Sequence, residues 1–213
     1  MLASGSPRRR QLLDALGVPY LQASADIDER AADHPALAKA EHLAERGIVT
    51  LAADTMIELG TERLGKPADR LDATEMLRAL AGRRHIVRTE VAVVGAAGRR
   101  LWFGVRSTVT MRPRDDAAIA TYVASGEPLD KAGSYALQGA GAALVESYGG
   151  CYSNIVGLPL CHAFAALRKM GVAIPTRPEE AFENTFGFTC PAAAIARSHG
   201  RSLRSAVDYD SFP

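Results

Sequence analysis

Predicted strands alternate with predicted helices along this chain, and that order restricts the fold more than any other feature of the sequence. The apolar run at residues 48–53 is typical of a buried strand, which we expect to end at Asp54 and Thr55. Apolar periodicity predicts further strands at residues 85–94 and 101–111, and helices at residues 36–46, 72–80, 115–124 and 159–170. We therefore predict an α/β fold with a mixed central sheet flanked by helices.

A polar turn near the start of the chain, SGSPRRR at residues 4–10, separates a very short predicted strand from a helix. A turn of small residues that opens a helix presents backbone N–H groups and the positive end of the helix dipole. The adjacent arginines add bidentate donors, so the motif is suited to phosphate oxygens. The alternative is a capped helix whose arginines are solvated, and the motif lacks the spacing of a P-loop.

Two further motifs could take part in chemistry on a phosphate. Asp54 at the predicted strand end can hold a metal ion or accept a proton from an attacking water, although it can equally cap the following turn. Lys66, in the stiff turn Gly65-Lys66-Pro67, could neutralise charge on a phosphoryl group, although a single lysine is more often simply exposed. Glu29 and Lys39 become candidates only in combination with these residues.

A glycine-rich polar stretch at residues 130–139 ends in Gln138 and Gly139. The amide of Gln138 can both donate and accept hydrogen bonds, which matches the mixed edge of a uracil or thymine ring. The simpler interpretation is a turn. The five histidines show no metal-ligand spacing and are expected to be surface residues or satisfied core residues.

Composition excludes several classes of function. The chain has 25 Lys and Arg against 24 Asp and Glu, and this formal charge of +1 argues against a nucleic-acid partner. The three cysteines form no Cys-x-x-Cys pair and predict neither a disulfide framework nor a zinc site. No apolar run reaches the roughly eighteen residues that a membrane span needs, and no signal-peptide pattern follows the start, so we expect a cytoplasmic protein without a membrane partner.

Taken in order, the motifs SGSPRR, DE, KA, ADT, LGKP, HxVxT, DKAGSYALQG and NIVGLPL resemble those of the Maf family of nucleoside triphosphate pyrophosphatases. The resemblance covers residues 1–174 as one domain and leaves residues 175–213 as an extension of unknown structure. It implies two lobes with a cleft between them that binds the triphosphate, similar to the inosine triphosphate pyrophosphatases. The chain departs from the family pattern in a short Glu29–Lys39 connection and in Glu90, which follows Thr89 where glycine is commoner.

The resemblance also implies a role for individual residues. Asp54 resembles the catalytic proton acceptor, and Glu29 with Asp54 resembles a site for a divalent metal, magnesium or manganese. Phosphate contacts are implied for the turn, through Ser4, Arg8 and Arg9, and for the catalytic lysines Lys39 and Lys66. Base selection is implied for Arg8, Thr55 and Gln138. The ALQG motif is similar to that of the family branch that prefers dTTP and UTP rather than 7-methyl-GTP.

The expected activity is therefore hydrolysis of a nucleoside triphosphate, with dTTP and UTP favoured, to the monophosphate and pyrophosphate, which would clear non-standard or excess nucleotides. One alternative is a related enzyme that acts on methylated or otherwise modified pyrimidine triphosphates. Another is a nucleotide-binding regulator of septum formation or cell division with little turnover. The partner in each case is a small-molecule nucleotide, and the family resemblance suggests a homodimer.

Overall fold

The computed structural model describes residues 1–29, 31–44, 47–95, 98–113 and 115–190. Within these residues seven strands form one sheet, namely β1 (Leu2–Ala3), β2 (Gln22–Ala23), β3 (Thr50–Leu59), β4 (Glu62–Leu64), β5 (Arg84–Val94), β6 (Arg100–Met111) and β7 (Val145–Gly149). Their order is β2-β1-β3-β5-β6-β7, with β4 paired to β3. Strand β1 runs parallel to β2 and β3, whereas β4 and β7 run antiparallel to their partners, which confirms the predicted mixed sheet.

The described helices are α1 (Pro7–Ala15), α2 (Pro35–His42), α3 (Arg70–Leu80), α4 (Asp116–Ala124), α5 (Tyr152–Val156), α6 (Leu160–Lys169) and α7 (Pro178–Phe186). The chain divides into two compact units. The first unit holds residues 1–54, 89–105 and the chain from Gly157, and the second holds residues 55–88 and 106–156. The three long strands β3, β5 and β6 therefore each contribute residues to both units.

In the first unit, local sequence signals define α1. Pro7 occupies the first helical turn, Ser6 caps it, and Leu12 and Leu13 are buried. The helix ends before Gly17, whose φ of +69° is in the left-handed region that favours glycine. Helix α2 packs through alanines instead, since Ala36 and Ala40 belong to a core of small residues with Ala3, Ala52 and Ala92.

The second unit has its own apolar core, to which β3, β5, β6, α3 and α4 all contribute residues. Asp69 caps α3 by accepting a hydrogen bond from Asp72 N–H at 2.9 Å. Asp115 caps α4 in the same way, through the N–H groups of Ala117 and Ala118. Both helices therefore begin at an acidic cap.

The predicted ends of one helix and one strand differ from the structure. Helix α2 ends at His42, and the last two residues of the predicted helix, Glu45 and Arg46, lie outside the described residues. The prediction that the buried strand ends at Asp54 and Thr55 is wrong, because β3 continues to Leu59. Residues 57–59 at its end pair with β4 in an antiparallel hairpin.

The chain beyond residue 174 forms α7, which packs against α1 and α6. Phe182 on α7 is fully buried and contacts the rings of Phe186 and Phe188. Residues 191–213 of the predicted extension lie outside the described residues, and the boundary at residue 174 stays a prediction.

None of the helices in the described ranges is long and apolar enough to cross a membrane.

Candidate functional site

The SGSPRR turn of the first unit is fixed by hydrogen bonds of its own side chains. Ser4 is buried, and its Oγ accepts hydrogen bonds from Ser6 N–H and from Arg9 Nη1, both at 3.2 Å. Arg9 Nε donates to the carbonyl oxygen of Gly157 at 2.8 Å. Its guanidinium is therefore held in place by the turn itself and by the residues that lead into α6.

The electrostatic surroundings of Arg9 place it near two candidate carboxylates. Burial lowers the pKa of Arg9, and the neighbouring Arg8 lowers it further, whereas the carboxylates of Asp54 and Glu29 raise it. An arginine keeps its proton under these conditions because its ordinary pKa is so high. The arginine turn and the predicted catalytic carboxylates therefore interact within the first unit.

Lys39 on α2 joins the two carboxylates directly. Its Nζ lies 2.7 Å from Asp54 Oδ1 and 2.8 Å from Glu29 Oε1. The Lys39 side chain is only 8% exposed, that of Asp54 is 17% exposed and that of Glu29 is 49% exposed. One buried ammonium thus compensates one of two negative charges, which leaves a formal charge of −1 on the three groups.

Asp54 reaches this position although β3 does not end there. The parallel partner β1 pairs Leu2 with Leu51 and Ala3 with Ala52, and β1 then ends. Asp54 lies two residues beyond Ala52, the last residue of β3 that pairs with β1. At the same level the chain leaves β1 and enters the SGSPRR turn. The strand that ends near Asp54 is therefore its neighbour β1 rather than β3 itself. The Asp54 carboxylate lies near the turn that follows β1.

The donor chemistry of this place fits a hard divalent cation. Magnesium is usually bound by one or two carboxylates and completes its shell with water and substrate phosphates. Glu29 and Asp54 converge on the same Lys39 Nζ and supply two such carboxylates. Among the described residues no group of three or more His, Cys, Asp or Glu side chains could hold a metal, so an all-protein shell is absent from that part of the chain.

The other predicted site residues belong to the second unit. Thr55 follows Asp54 on β3 and is half-buried, Lys66 is exposed after β4, and Gln138 is half-buried before a short 3-10 helix at Gly139–Leu144. The turn that carries Lys66 and the stretch that carries Gln138 are tied together, because Gly133 N–H donates to the Gly65 carbonyl oxygen at 2.9 Å.

Gly133 is required at that tie. Its φ is +66°, and a Cβ at this position would lie 2.6 Å from Ile57 Cγ1. Any other residue would therefore combine backbone strain with a clash inside the core of the second unit. The stretch 130–139 is thus more closely specified than a simple exposed turn would be.

His85 and Tyr135 form a second tie to the same stretch. His85 Nε2 and the Tyr135 hydroxyl are 2.6 Å apart, and both residues are buried. Burial lowers the pKa of His85 to about 4 and raises the pKa of Tyr135, so both groups are neutral near pH 7. His85 is therefore a buried core residue whose Nε2 is hydrogen-bonded.

Two contacts of the first unit were not predicted from the sequence. The Gly157 carbonyl oxygen holds Arg9. The other contact is that of Glu90, which is buried and accepts a hydrogen bond from Ala36 N–H at the start of α2. Neither contact has a local sequence signal, since the partners lie 148 and 54 residues apart.

Three features define the class of this protein: the mixed sheet, the arginine turn at a helix start and the lysine shared by two carboxylates. It is an α/β protein with a site suited to an anionic phosphate group and a divalent cation. The family model for Maf-like proteins matches residues 1–170. The chain belongs to the Maf-like family.

Curated relatives match most of the chain. A dTTP/UTP pyrophosphatase of Anaeromyxobacter dehalogenans (strain 2CP-C) is 47% identical over 185 residues, which are 82% of this chain and 95% of the relative. A dTTP/UTP pyrophosphatase of Myxococcus xanthus is 45% identical over 188 residues, with 83% and 95% covered. One of Hahella chejuensis is 44% identical over 188 residues, with 82% and 93% covered.

Proposed function

We propose that this protein hydrolyses dTTP and UTP to the nucleoside monophosphate and pyrophosphate. The names of the relatives, which are similar over most of the chain, support this substrate pair. The single observation that carries the chemistry is the buried Lys39 ammonium in contact with both Asp54 and Glu29. Such an arrangement keeps two carboxylates together at a fixed place, which water activation and cation binding both require.

Asp54 is the proposed proton acceptor. A water molecule that attacks the α-phosphorus gives up a proton to Asp54 as the new P–O bond forms, and the bond from that phosphorus to the bridging oxygen breaks to release pyrophosphate. Asp54 is well placed for this role because it projects from a long strand and is oriented by Lys39 at 2.7 Å. Positioning together with electrostatic stabilisation accounts for most of catalysis in phosphoryl transfer.

The triphosphate carries several negative charges that the protein has to match. Ser4, Arg8 and Arg9 are proposed to bind phosphate oxygens, with Arg9 already held by Ser4 and Gly157. Lys39 and Lys66 are proposed to contact phosphates as well. Glu29 and Asp54 would hold the divalent cation, magnesium or manganese, which when bound neutralises phosphate charge and polarises the P–O bonds.

Base selection is proposed for Arg8, Thr55 and Gln138. The Gln138 amide presents one acceptor and two donors, so it can pair with both a carbonyl and an N–H of a uracil or thymine ring. The ties from Gly133 to Gly65 and from Tyr135 to His85 support this role, because they restrain the stretch on which Gln138 lies. A homodimer and a cytoplasmic location stay predictions.

The test is one panel of all common nucleoside triphosphates, assayed for pyrophosphate release with magnesium, with manganese and with excess chelator. We expect turnover of dTTP and UTP above the other nucleotides, and its loss with chelator. Inorganic phosphate released without pyrophosphate would place the cleavage at another bond. No turnover of any nucleotide in the presence of either metal would overturn the proposal, and nucleotide binding under those conditions would favour the regulator.

A further inference from the structure

Glu90 on β5 is a buried carboxylate that the proposed reaction leaves without a role. It is 7% exposed, and its Oε1 accepts a hydrogen bond from Ala36 N–H at 3.1 Å. Its Oε2 lies 3.8 Å from His34 Nδ1. The His34 ring in turn packs against Trp102, with the ring centroids 4.0 Å apart. Both oxygens of this carboxylate thus face the first residues of α2.

Helix α2 has no cap of its own. His34 occupies the N-cap position but makes no side-chain capping hydrogen bond, and the first turn contains no acidic residue. The first N–H groups of a helix have no partner within it, and a side-chain oxygen normally accepts from the second or third of them. Glu90 supplies that acceptor from β5, together with a negative charge at the positive end of the helix dipole.

The position of Lys39 depends on how this helix is held. Ala36, Lys39 and Ala40 lie on one face of α2, and the two alanines have no exposed surface. The Lys39 ammonium, one turn after the capped N–H, makes contacts of 2.7 and 2.8 Å with Asp54 and Glu29. A small shift or rotation at the start of α2 would therefore move the ammonium out of contact range.

We infer that Glu90 is a positioning residue for the reaction: it fixes the start of α2, and through α2 it holds Lys39 against the catalytic Asp54. The inference depends on the proposed function, because it assigns Asp54 and Lys39 their roles. The effect of Glu90 on Lys39 is transmitted by α2.

The experiment compares three substitutions of Glu90 with one control. Glu90→Ala removes the acceptor, Glu90→Asp shortens it by one methylene, and Glu90→Gln keeps an oxygen at the same reach. The control is Glu41→Ala, which removes another carboxylate that touches the same helix; Glu41 lies on α2 and pairs with Arg100 at 2.8 Å on the surface. Steady-state kinetics with dTTP are normalised to the folded fraction of each variant.

We expect Glu90→Ala to lower kcat by about tenfold with KM changed less than about twofold, since a misplaced group affects the reaction more than binding. Glu90→Asp should show the same direction with a smaller effect. Glu90→Gln should keep kcat within about threefold of the wild type, because its carbonyl oxygen still caps α2. Glu41→Ala should match the wild type in both constants.

A purely structural role for Glu90 predicts a different result. Glu90→Ala would then lower the melting temperature while kcat per folded molecule equals that of Glu41→Ala, and this outcome would overturn the inference. An equal loss of kcat in Glu90→Gln and Glu90→Ala would overturn it as well. If Glu90→Ala does not fold, the comparison of Glu90→Asp with Glu90→Gln decides. A wild-type protein without turnover would overturn the proposed function itself, whereas an active wild type with active Glu90 variants overturns only this inference.

Discussion

Replacing Asp54 by asparagine should separate catalysis from stability, because the two effects have different sizes. A hydrogen bond to a charged group contributes about 1.5–3 kcal/mol to stability. The asparagine still offers Lys39 a neutral acceptor, and the charge of Glu29 is unchanged. We therefore expect the substitution to lower the free energy of unfolding by about 1 kcal/mol. For a chain of this size that lowers the melting temperature by about 2–4 °C. A positioned general base contributes about 10²–10⁴-fold, so kcat should fall by that factor.

Three measurements test this reasoning. Pyrophosphate release at saturating dTTP gives kcat, calorimetric titration of dTTP gives the dissociation constant, and thermal unfolding gives the stability. The matched control is Asp116→Asn, which removes the charge from a surface pair with Arg78 at 3.0 Å and should change none of the three by much. A kcat for Asp54→Asn within about tenfold of the wild type would refute the role of Asp54 as proton acceptor.

Other predictions concern stability, base selection and the chain beyond residue 174. Because burial lowers the pKa of His85 to about 4 while the unfolded chain titrates near 6.5, the free energy of unfolding should fall as the pH drops from about 6.5 to 4, by up to about 3 kcal/mol. Urea unfolding at several pH values should show that the free energy of unfolding depends less on pH in His85→Asn than in the wild type, with exposed His42→Asn as the control. Equal slopes of unfolding free energy against pH in all three proteins would contradict this. Gln138→Ala should lower the kcat/KM ratio of dTTP to dGTP by about tenfold, since it removes the hydrogen bonds that distinguish the bases; an unchanged ratio would exclude Gln138 from selection. Phe182→Ala should cost about 3–5 kcal/mol of unfolding free energy, and half-buried Phe186→Ala less, by chemical denaturation; equal small losses would show that α7 adds little to the first unit.

Elements with local signals could be predicted from the sequence. The cap at Ser6, the proline at Pro7 and the stop at Gly17 bound α1 correctly. Strands β5 and β6 lie within one residue of their predicted limits, because long apolar periodicity needs no distant partner to be recognised.

Elements whose pairing or packing the local pattern does not show could not be predicted. Strand β3 continues past Asp54, and its last three residues pair with β4, a strand of three residues. Helix α7 lies in the extension for which no structure was predicted, and Pro178 occupies its first helical turn, where the missing N–H costs nothing.

The candidate site shows the same division. The motifs selected Glu29, Lys39 and Asp54, and the structure brings all three together in the first unit through contacts at Lys39 Nζ. The short connection between Glu29 and Lys39 does not displace Glu29 from Lys39. Glu90 could not be found in this way, because a carboxylate that caps a helix from another strand has no sequence spacing to reveal it.

The missing local cap of α2 has a consequence for the order in which the protein folds. A helix of eight residues is not stable in water by itself, and this one receives its capping acceptor from a residue 54 positions later in the chain. We therefore expect the segment with Glu29 and Lys39 to stay without its helix during synthesis until β5 has emerged and paired. The contacts of Lys39 with Asp54 and Glu29 would then form late, as a product of the finished sheet, and a fragment that stops before residue 90 should contain the motifs without the site.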